Sequence, residues 1–158
     1  MDRSNKKKIL IVIVDRANYG RLKPLMKLIQ KNKNLNLKLM CTGTTLLDKY
    51  GYAYKNIISD GFEIQSKVFM EVDGSNTATM ATSLGLGIIN FTNELQRIKP
   101  DFVLIIGDRY ETLGVAISSS FLNIPLIHLQ GGETSGSIDE NIRHAITKFS
   151  NLHFPATD

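Results

Sequence analysis

The chain reads as an α/β protein in which helices cover both faces of a single parallel sheet. Two patterns predict this. Short, almost wholly apolar runs at residues 8–14 (KILIVIV), 101–107 (DFVLIIG) and 124–129 (IPLIHL) have the character of strands buried on both faces. Stretches of helical periodicity lie between them, and strand alternating with helix implies right-handed crossovers and parallel order. The 158 residues, 42% apolar and 22% charged, suffice for one core and one domain, and no repeat or linker interrupts them.

Taken in order, the run at 8–14 is the first strand. Residues 21–31 form a helix with Leu22, Leu25, Met26 and Ile29 on one stripe, and Pro24 falls in its first turn, where a missing N–H does no harm. Residues 36–42 (NLKLMCT) and 62–69 (FEIQSKVF) are the next two strands. The longest helix covers 77–98, with Leu84, Ile88, Phe91, Leu95 and Ile98 recurring at helical spacing, and Pro100 ends it. A strand at 101–107, a helix at 111–122, a strand at 124–129, a helix at 138–149 and a short strand at 152–156 complete the pattern. The last helix has an expected N-terminal capping box, Ser137 with Glu140, and an apolar stripe of Ile138, Ile142, Ala145, Ile146 and Phe149. The GLG at 85–87 lies inside a helix and reads as close helix packing.

Composition narrows the function. Net charge is +4 but uneven: residues 1–38 carry eleven Lys or Arg against two Asp, and the rest carry eight against thirteen acidic residues. A lysine-rich stretch without arginine clusters or interleaved aromatics is a solvated face, which argues against nucleic-acid binding. No apolar run reaches 18 residues, so no membrane span is expected. The N-terminal apolar run is followed by Asp15 and Arg16 rather than small residues, and reads as a strand rather than a leader. A lone cysteine, Cys41, fits a cytoplasmic protein. Three histidines without ligand spacing give no metal site.

In open parallel sheets, ligands bind beyond the carboxyl ends of the strands. Four strand exits here are rich in glycine or charge: DRANYGR (15–21), TGTT (42–45), DRYET (108–112) and QGGETSGSIDE (130–140). In the first, Arg16 and Arg21 flank the expected helix start. They suit an anion such as a diphosphate, or are surface arginines beside a helix. No G-x-G-x-x-G follows the first strand and no P-loop is present. Asp108 stands at the tip of an apolar strand. It is a general acid or base whose proton affinity is raised unless Arg109 or a ligand cation offsets it, or it is a helix cap. Asp139 and Arg143 are one turn apart at the border of the last helix's stripe, as a site pair beside Gly131, Gly132 and Gly136 or as an ordinary surface pair. His128, at a strand end, reads from position alone as a hydrogen-bonded core residue.

Three segments carry a resemblance: R-A-N-Y-G-x-L (16–22), G-D-R-Y-E (107–111) and H-x-Q-G-G-E-x-S-G-S-I-D-E-x-I-R-H-A-I-T-K (128–148). In this order the chain resembles the N-terminal half of the hydrolysing UDP-N-acetylglucosamine 2-epimerases of sialic-acid and legionaminic-type sugar biosynthesis, over essentially its whole length. The resemblance implies a Rossmann-like domain, one half of a glycosyltransferase-B type two-domain fold, with a UDP-sugar in the cleft and no cofactor. It implies conversion of UDP-N-acetylglucosamine, or a related UDP-diacetamido sugar, to the 2-epimeric free sugar plus UDP. Asp108 and Asp139 match acid/base carboxylates, Arg16 a diphosphate contact and Arg143 a sugar contact. Gln130 completes the catalytic set, and Arg21, Arg109, His128 and Glu133 the binding set. Some members carry Glu where this chain has Gln130, which cannot exchange a proton as a carboxylate does. Either the two aspartates carry the chemistry, or activity or substrate differs. Arg21 stands where a lysine is often found. The UDP-binding C-terminal domain has no counterpart in the 158 residues, so the chain alone is expected to turn over no UDP-N-acetylglucosamine. The full-length enzyme is expected to be a homo-oligomer. Two other readings remain: the acceptor domain of a glycosyltransferase of the same architecture, and a non-catalytic UDP-sugar-binding remnant.

Overall fold

The computed structural model describes residues 6–74, 76–132 and 138–156. Six strands, β1 (Lys7–Ile13), β2 (Leu35–Thr42), β3 (Ser66–Val68), β4 (Phe102–Ile106), β5 (Leu126–Leu129) and β6 (Leu152–Phe154), alternate with helices α1 (Arg16–Lys31), α2 (Tyr54–Ser59), α3 (Thr77–Ile98), α4 (Tyr110–Phe121) and α5 (Ile138–Phe149). The strands form one sheet in the order β3-β2-β1-β4-β5-β6, and every neighbouring pair is parallel. The chain therefore works outward from β1 to β3 and then crosses back to lay β4 on the other side of β1. At that reversal β1 leads to a helix on one face and β4 to a helix on the other, the position at which open parallel sheets bind ligands.

Strand side chains alternate between two cores. Leu10, Val12, Met40, Val103 and Ile105 pack on one face with Phe91 and Leu95 of α3, Val115 of α4 and Ile146 of α5. Ile9, Ile11, Ile13, Leu39, Leu104 and Ile106 pack on the other with Tyr19, Leu22 and Met26 of α1 and Ile57 of α2. Burial on both faces explains why the central strands lack a polar alternation. Each fully enclosed Leu or Ile stabilises the fold by roughly 1.5–3 kcal/mol relative to exposure. Cys41 sits in the second core with its thiol pushed up to about 12, by burial first, so it is a small apolar filler rather than a nucleophile.

Several boundaries differ from the sequence reading, each for a local reason. The first helix starts at Arg16 because the Asp15 carboxylate accepts a hydrogen bond from Asn18 N–H at 2.7 Å. The expected loop DRANYGR is therefore the helix's opening, and Arg21 lies inside α1 rather than at its start. The third strand shrinks to three residues. Two 3-10 turns (Gly43–Leu46 and Asp48–Tyr50) and α2 follow β2, all too short to leave a periodic signature. The expected strands at 124–129 and 152–156 shorten to β5 and β6. In α3 the buried stripe is Ser83, Gly87, Phe91, Leu95 and Ile98, with an Asn76–Thr79 capping box at its start. A Cβ on Gly87 would stand 2.7 Å from Met70 Cε, so one glycine of the GLG does serve close packing. Gly85 has nothing within 4 Å. Ser137, the expected cap of α5, lies outside the described residues.

Candidate functional site

The exits of β1, β2, β4 and β5 share the carboxyl edge of the sheet, since all four strands run the same way. From β4, Gly107 leads to Asp108, which does not cap α4. Arg109 occupies the capping position and closes it with no side-chain hydrogen bond. Asp108 is held instead by Arg143 of α5. Arg143 Nε donates to Asp108 Oδ2 at 3.1 Å and its Nη2 donates to the same oxygen. The Arg143 side chain is 8% exposed and that of Asp108 29%. The cation paired with Asp108 is therefore Arg143 rather than the neighbouring Arg109, and it comes 35 residues further on in the chain. A buried guanidinium on one carboxylate oxygen fixes the orientation of the whole carboxylate.

Arg109 turns the opposite way. Its Nε and Nη2 donate to Glu111 at 2.7–3.1 Å, and Asp15 Oδ2 lies 3.9 Å from Nε. Burial works against the Arg109 charge, but the hydrogen bonds and field of Glu111, joined by Asp15, outweigh it and hold the guanidinium above its usual range. Glu111 is fully buried and reaches beneath the β2 exit. A Cβ on Gly43 would stand 2.7 Å from Glu111 Oε1 and 2.9 Å from the Val14 carbonyl oxygen. Gly43 also has φ +57°, a conformation that L side chains resist. The turn after β2 is latched to β1, with Thr45 N–H and the Thr44 hydroxyl both donating to the Val14 carbonyl, at 3.3 and 3.2 Å.

At the β5 exit, Arg21 Nη1 donates to Gln130 Oε1 at 2.7 Å, tying α1 to the glycine-rich segment. His128 lies beneath, fully enclosed. Its Nε2 is 2.8 Å from the Gly107 carbonyl oxygen and its Nδ1 is 3.3 Å from the Thr147 hydroxyl. A Cβ on Gly131 would come within 2.8 Å of both the His128 ring and Thr147. His128 thus fixes the residue before Asp108 and has neither nitrogen turned to the crevice. Burial, outweighing the Gly107 hydrogen bond, lowers its proton affinity. The ring is therefore neutral when folded, and the unfolded chain takes up the proton first as pH falls. Stability from this group is full above the unfolded value of about 6.5 and declines as pH drops below it. Thermal unfolding should show the melting temperature of the wild type falling between pH 7.5 and 5.5, and the fall should be shallower in His128→Gln. Equal slopes would remove this role.

Arg16 is exposed in the first turn of α1 and Asp139 in the first turn of α5. Glu140 pairs with His144 at 3.6 Å. Glu133 lies outside the described residues. The structure thus joins Asp108 with Arg143 and Arg21 with Gln130, leaves Arg16 and Asp139 at the surface of the same edge, and turns His128 inward.

Beside Arg109 a cleft of about 630 Å³ opens between the β2 turn, the β3 exit and α3, walled by Thr44, Leu47, Glu71, Met80, Arg109 and Tyr110 among others. The Tyr110 hydroxyl donates to Glu71 Oε2 at 2.5 Å. Burial first, and then this hydrogen bond, push the Tyr110 hydroxyl far above its ordinary range, so it remains a donor. Glu71, Tyr110 and Glu111 were not singled out from sequence, though Tyr110 and Glu111 belong to the GDRYE segment. Glu71 follows β3, which is not among the four strand exits rich in glycine or charge. Among the described residues no group of three His, Cys, Asp or Glu is placed to hold a metal ion, and no helix is long and apolar enough to cross a membrane.

The chain is similar to known proteins in sequence and in fold. The chain is 38% identical over 152 residues to UDP-N,N'-diacetylbacillosamine 2-epimerase (hydrolyzing) of Legionella pneumophila, covering 96% of this chain and 40% of that one. It is 40% identical over 151 residues to GDP/UDP-N,N'-diacetylbacillosamine 2-epimerase (hydrolyzing) of Campylobacter jejuni, covering 95% and 39%. The chain thus spans about two fifths of the length of these relatives. The crystal structure of UDP-GlcNAc 2-epimerase from Neisseria meningitidis bound to UDP-GlcNAc superposes with a TM-score of 0.81 at 20% identity, over 96% of this chain and 41% of that one. That likeness gives the fold, one Rossmann-like half of a glycosyltransferase-B type architecture. The family model for UDP-N-acetylglucosamine 2-epimerase matches residues 27–158, a span that takes in β2 to β6 and with them Asp108, Gln130, Asp139 and Arg143. On that match and those identities, the chain belongs to the UDP-N-acetylglucosamine 2-epimerase family.

Proposed function

We propose that this chain is the N-terminal domain of a hydrolysing UDP-sugar 2-epimerase, converting UDP-N-acetylglucosamine or a UDP-diacetamido sugar to the 2-epimeric free sugar and UDP. The observation that carries the reading is the Asp108–Arg143 pair, held at the crevice where the sheet order reverses, in a chain whose 38–40% identical relatives bear hydrolysing names. In the reaction a base takes the proton from C2 and the C1–O bond to the diphosphate breaks, leaving a glycal-like intermediate. Water then adds its oxygen to C1, and a proton returns to C2 from the opposite face.

Each residue has a part that its surroundings support. Arg143 Nε and Nη2 donate to Asp108 Oδ2, so proton transfer at the sugar is assigned to Oδ1. Asp139, exposed on the first turn of α5 one turn before Arg143, serves as the second carboxylate. Gln130 has its oxygen occupied by Arg21 and no exchangeable carboxyl proton. It contributes an amide donor rather than acid–base catalysis. Arg16 and Arg109 offer cations to the departing diphosphate, as oriented guanidiniums do for developing charge. The rest of the cleft comes from a C-terminal domain, in an assembly of like subunits in the cytoplasm.

The test incubates the full-length protein with UDP-N-acetylglucosamine and, separately, UDP-N,N'-diacetylbacillosamine, following UDP and reducing sugar together. One UDP and one 2-epimeric reducing sugar per turnover are expected for at least one substrate. Sugar transferred to an added acceptor would favour a glycosyltransferase, and binding with no UDP release a non-catalytic sugar-nucleotide protein.

A further inference from the structure

Gln130 has a left-handed backbone, φ +57°, which glycine adopts freely and other residues only at a cost. Lys99 and Asn123 also take positive φ, but they close α3 and α4, where helices commonly end that way. Gln130 closes no helix. It follows β5, and glycines occupy the next two positions but not this one. Strain retained at such a place points to a side chain in use. The surrounding backbone is firmly held. Gln130 N–H donates to the Phe154 carbonyl oxygen at 2.8 Å, and Gly107 N–H to that of Leu129 at 3.0 Å. Gln130 therefore leaves the sheet at the strand exit adjoining that of Asp108. Its side chain is set by Arg21, 109 residues away, whose Nη1 donates to Oε1 at 2.7 Å. A guanidinium can only donate, and an amide has one oxygen and one NH₂ group, so Arg21 decides which way the amide faces. The oxygen turns to α1 and the NH₂ group away from it. Among the described residues Gln130 Nε2 has no hydrogen-bond partner and is not enclosed, and Arg21 pairs with no carboxylate.

Resting on the catalytic reading above, we propose that Arg21 is a positioning residue, which turns the Gln130 amide so that Nε2 donates to an oxygen of the sugar beside Asp108. Arg21 then acts through Gln130 and not as a cation for the diphosphate. The two roles separate cleanly. A positioning residue loses its effect when the group it positions is removed, whereas a direct phosphate contact keeps it. The acceptor is an acetamido carbonyl or a ring hydroxyl, and both offer the lone pair that an oriented N–H requires.

The experiment is a double-mutant cycle on the full-length protein, comparing wild type, Arg21→Met, Gln130→Gly and the two changes together. It measures kcat/KM with UDP-N-acetylglucosamine and UDP-N,N'-diacetylbacillosamine, calorimetric binding of each and of UDP alone, and thermal unfolding. Each single change should lower kcat/KM on the better substrate about tenfold, the value of one hydrogen bond. The second change should add less than about twofold, because the residues act as a unit. Arg21→Lys, which is also a donor-only cation, should recover most of what Arg21→Met loses. UDP alone should bind every variant alike. Gln130→Gly should melt no lower than wild type, since glycine relieves the left-handed backbone. Additive losses, or weaker binding of UDP alone by Arg21→Met, would make Arg21 a phosphate contact and overturn the proposal. A lower melting temperature for Gln130→Gly would make the pair a structural tie and overturn it as well. Binding of UDP-glucose, with a hydroxyl at C2, locates the acceptor: a Gln130→Gly loss confined to the acetamido sugars assigns the carbonyl, and one retained with UDP-glucose assigns a hydroxyl. A wild type that binds the sugar nucleotides but releases no UDP defeats the catalytic reading alone, and the cycle is then read from binding.

Discussion

Asp108→Asn in the full-length protein is expected to lower kcat for UDP release by about 10²–10⁴-fold, the range over which a positioned acid or base acts, with KM changed far less. The substitution keeps the size of the side chain and an oxygen for Arg143 to bind, but removes the carboxylate proposed to exchange a proton with C2. It also leaves the Arg143 guanidinium, 8% exposed, beside a neutral amide, so some stability is lost with the activity. The measurement is steady-state UDP release on variant protein shown to be folded by its unfolding transition. A kcat within tenfold of wild type would take Asp108 out of the chemistry. A large rise in KM with kcat preserved would recast it as a binding group.

Gly43→Ala should be the most damaging small change in this part of the protein, costing about 2–4 kcal/mol. The residue sits at φ +57°, and the added methyl would meet the Glu111 carboxylate at 2.7 Å and the Val14 carbonyl at 2.9 Å. The second contact is backbone at the end of β1 and does not swing away. At roughly 2–4 °C per kcal/mol for a domain of this size, the melting temperature should fall by about 4–16 °C. UDP-sugar binding should weaken with it, because Glu111 is the residue that aims Arg109. Gly20→Ala is the matched control. Gly20 lies inside α1 with nothing within 4 Å of the added methyl, so alanine should leave stability equal or raise it by up to about 1 kcal/mol. If both variants unfold like wild type, the Gly43 turn is not the constraint that its geometry implies.

How much of this was legible in the sequence depended on the range of the interaction. Apolar runs such as 8–14 and 101–107 announced buried strands because burial on both faces forbids polar alternation, and they are β1 and β4. Long helices were legible for the same reason, through the spacing of Phe91, Leu95 and Ile98. The first helix was mislaid by five residues because Asp15, read as part of a loop, is the cap that starts it. The pairing of charges was not legible at all. Sequence distance joined Asp139 to Arg143 and Asp108 to Arg109, whereas the fold joins Arg143 to Asp108 across 35 residues and gives Arg109 to Glu111 and Asp15. Which strand exits share an edge follows from strand order. Which carboxylate takes which arginine follows from the crossing of α4 and α5 over the sheet, and no local pattern encodes that. Glu71 carries no local signal because the strand before it is only three residues long, Ser66–Val68, within an expected run of 62–69.

The reaction of the full-length protein with its UDP-sugar in D₂O tests the central claim most directly. If proton exchange at C2 accompanies loss of UDP at this edge of the sheet, the free sugar must carry one solvent deuteron at C2, and Asp108→Asn must suppress deuteration and UDP release together. A 2-epimeric product that keeps its original hydrogen at C2, or formation of the deuterated sugar and UDP by the Asp108→Asn variant at the wild-type rate, would contradict the account.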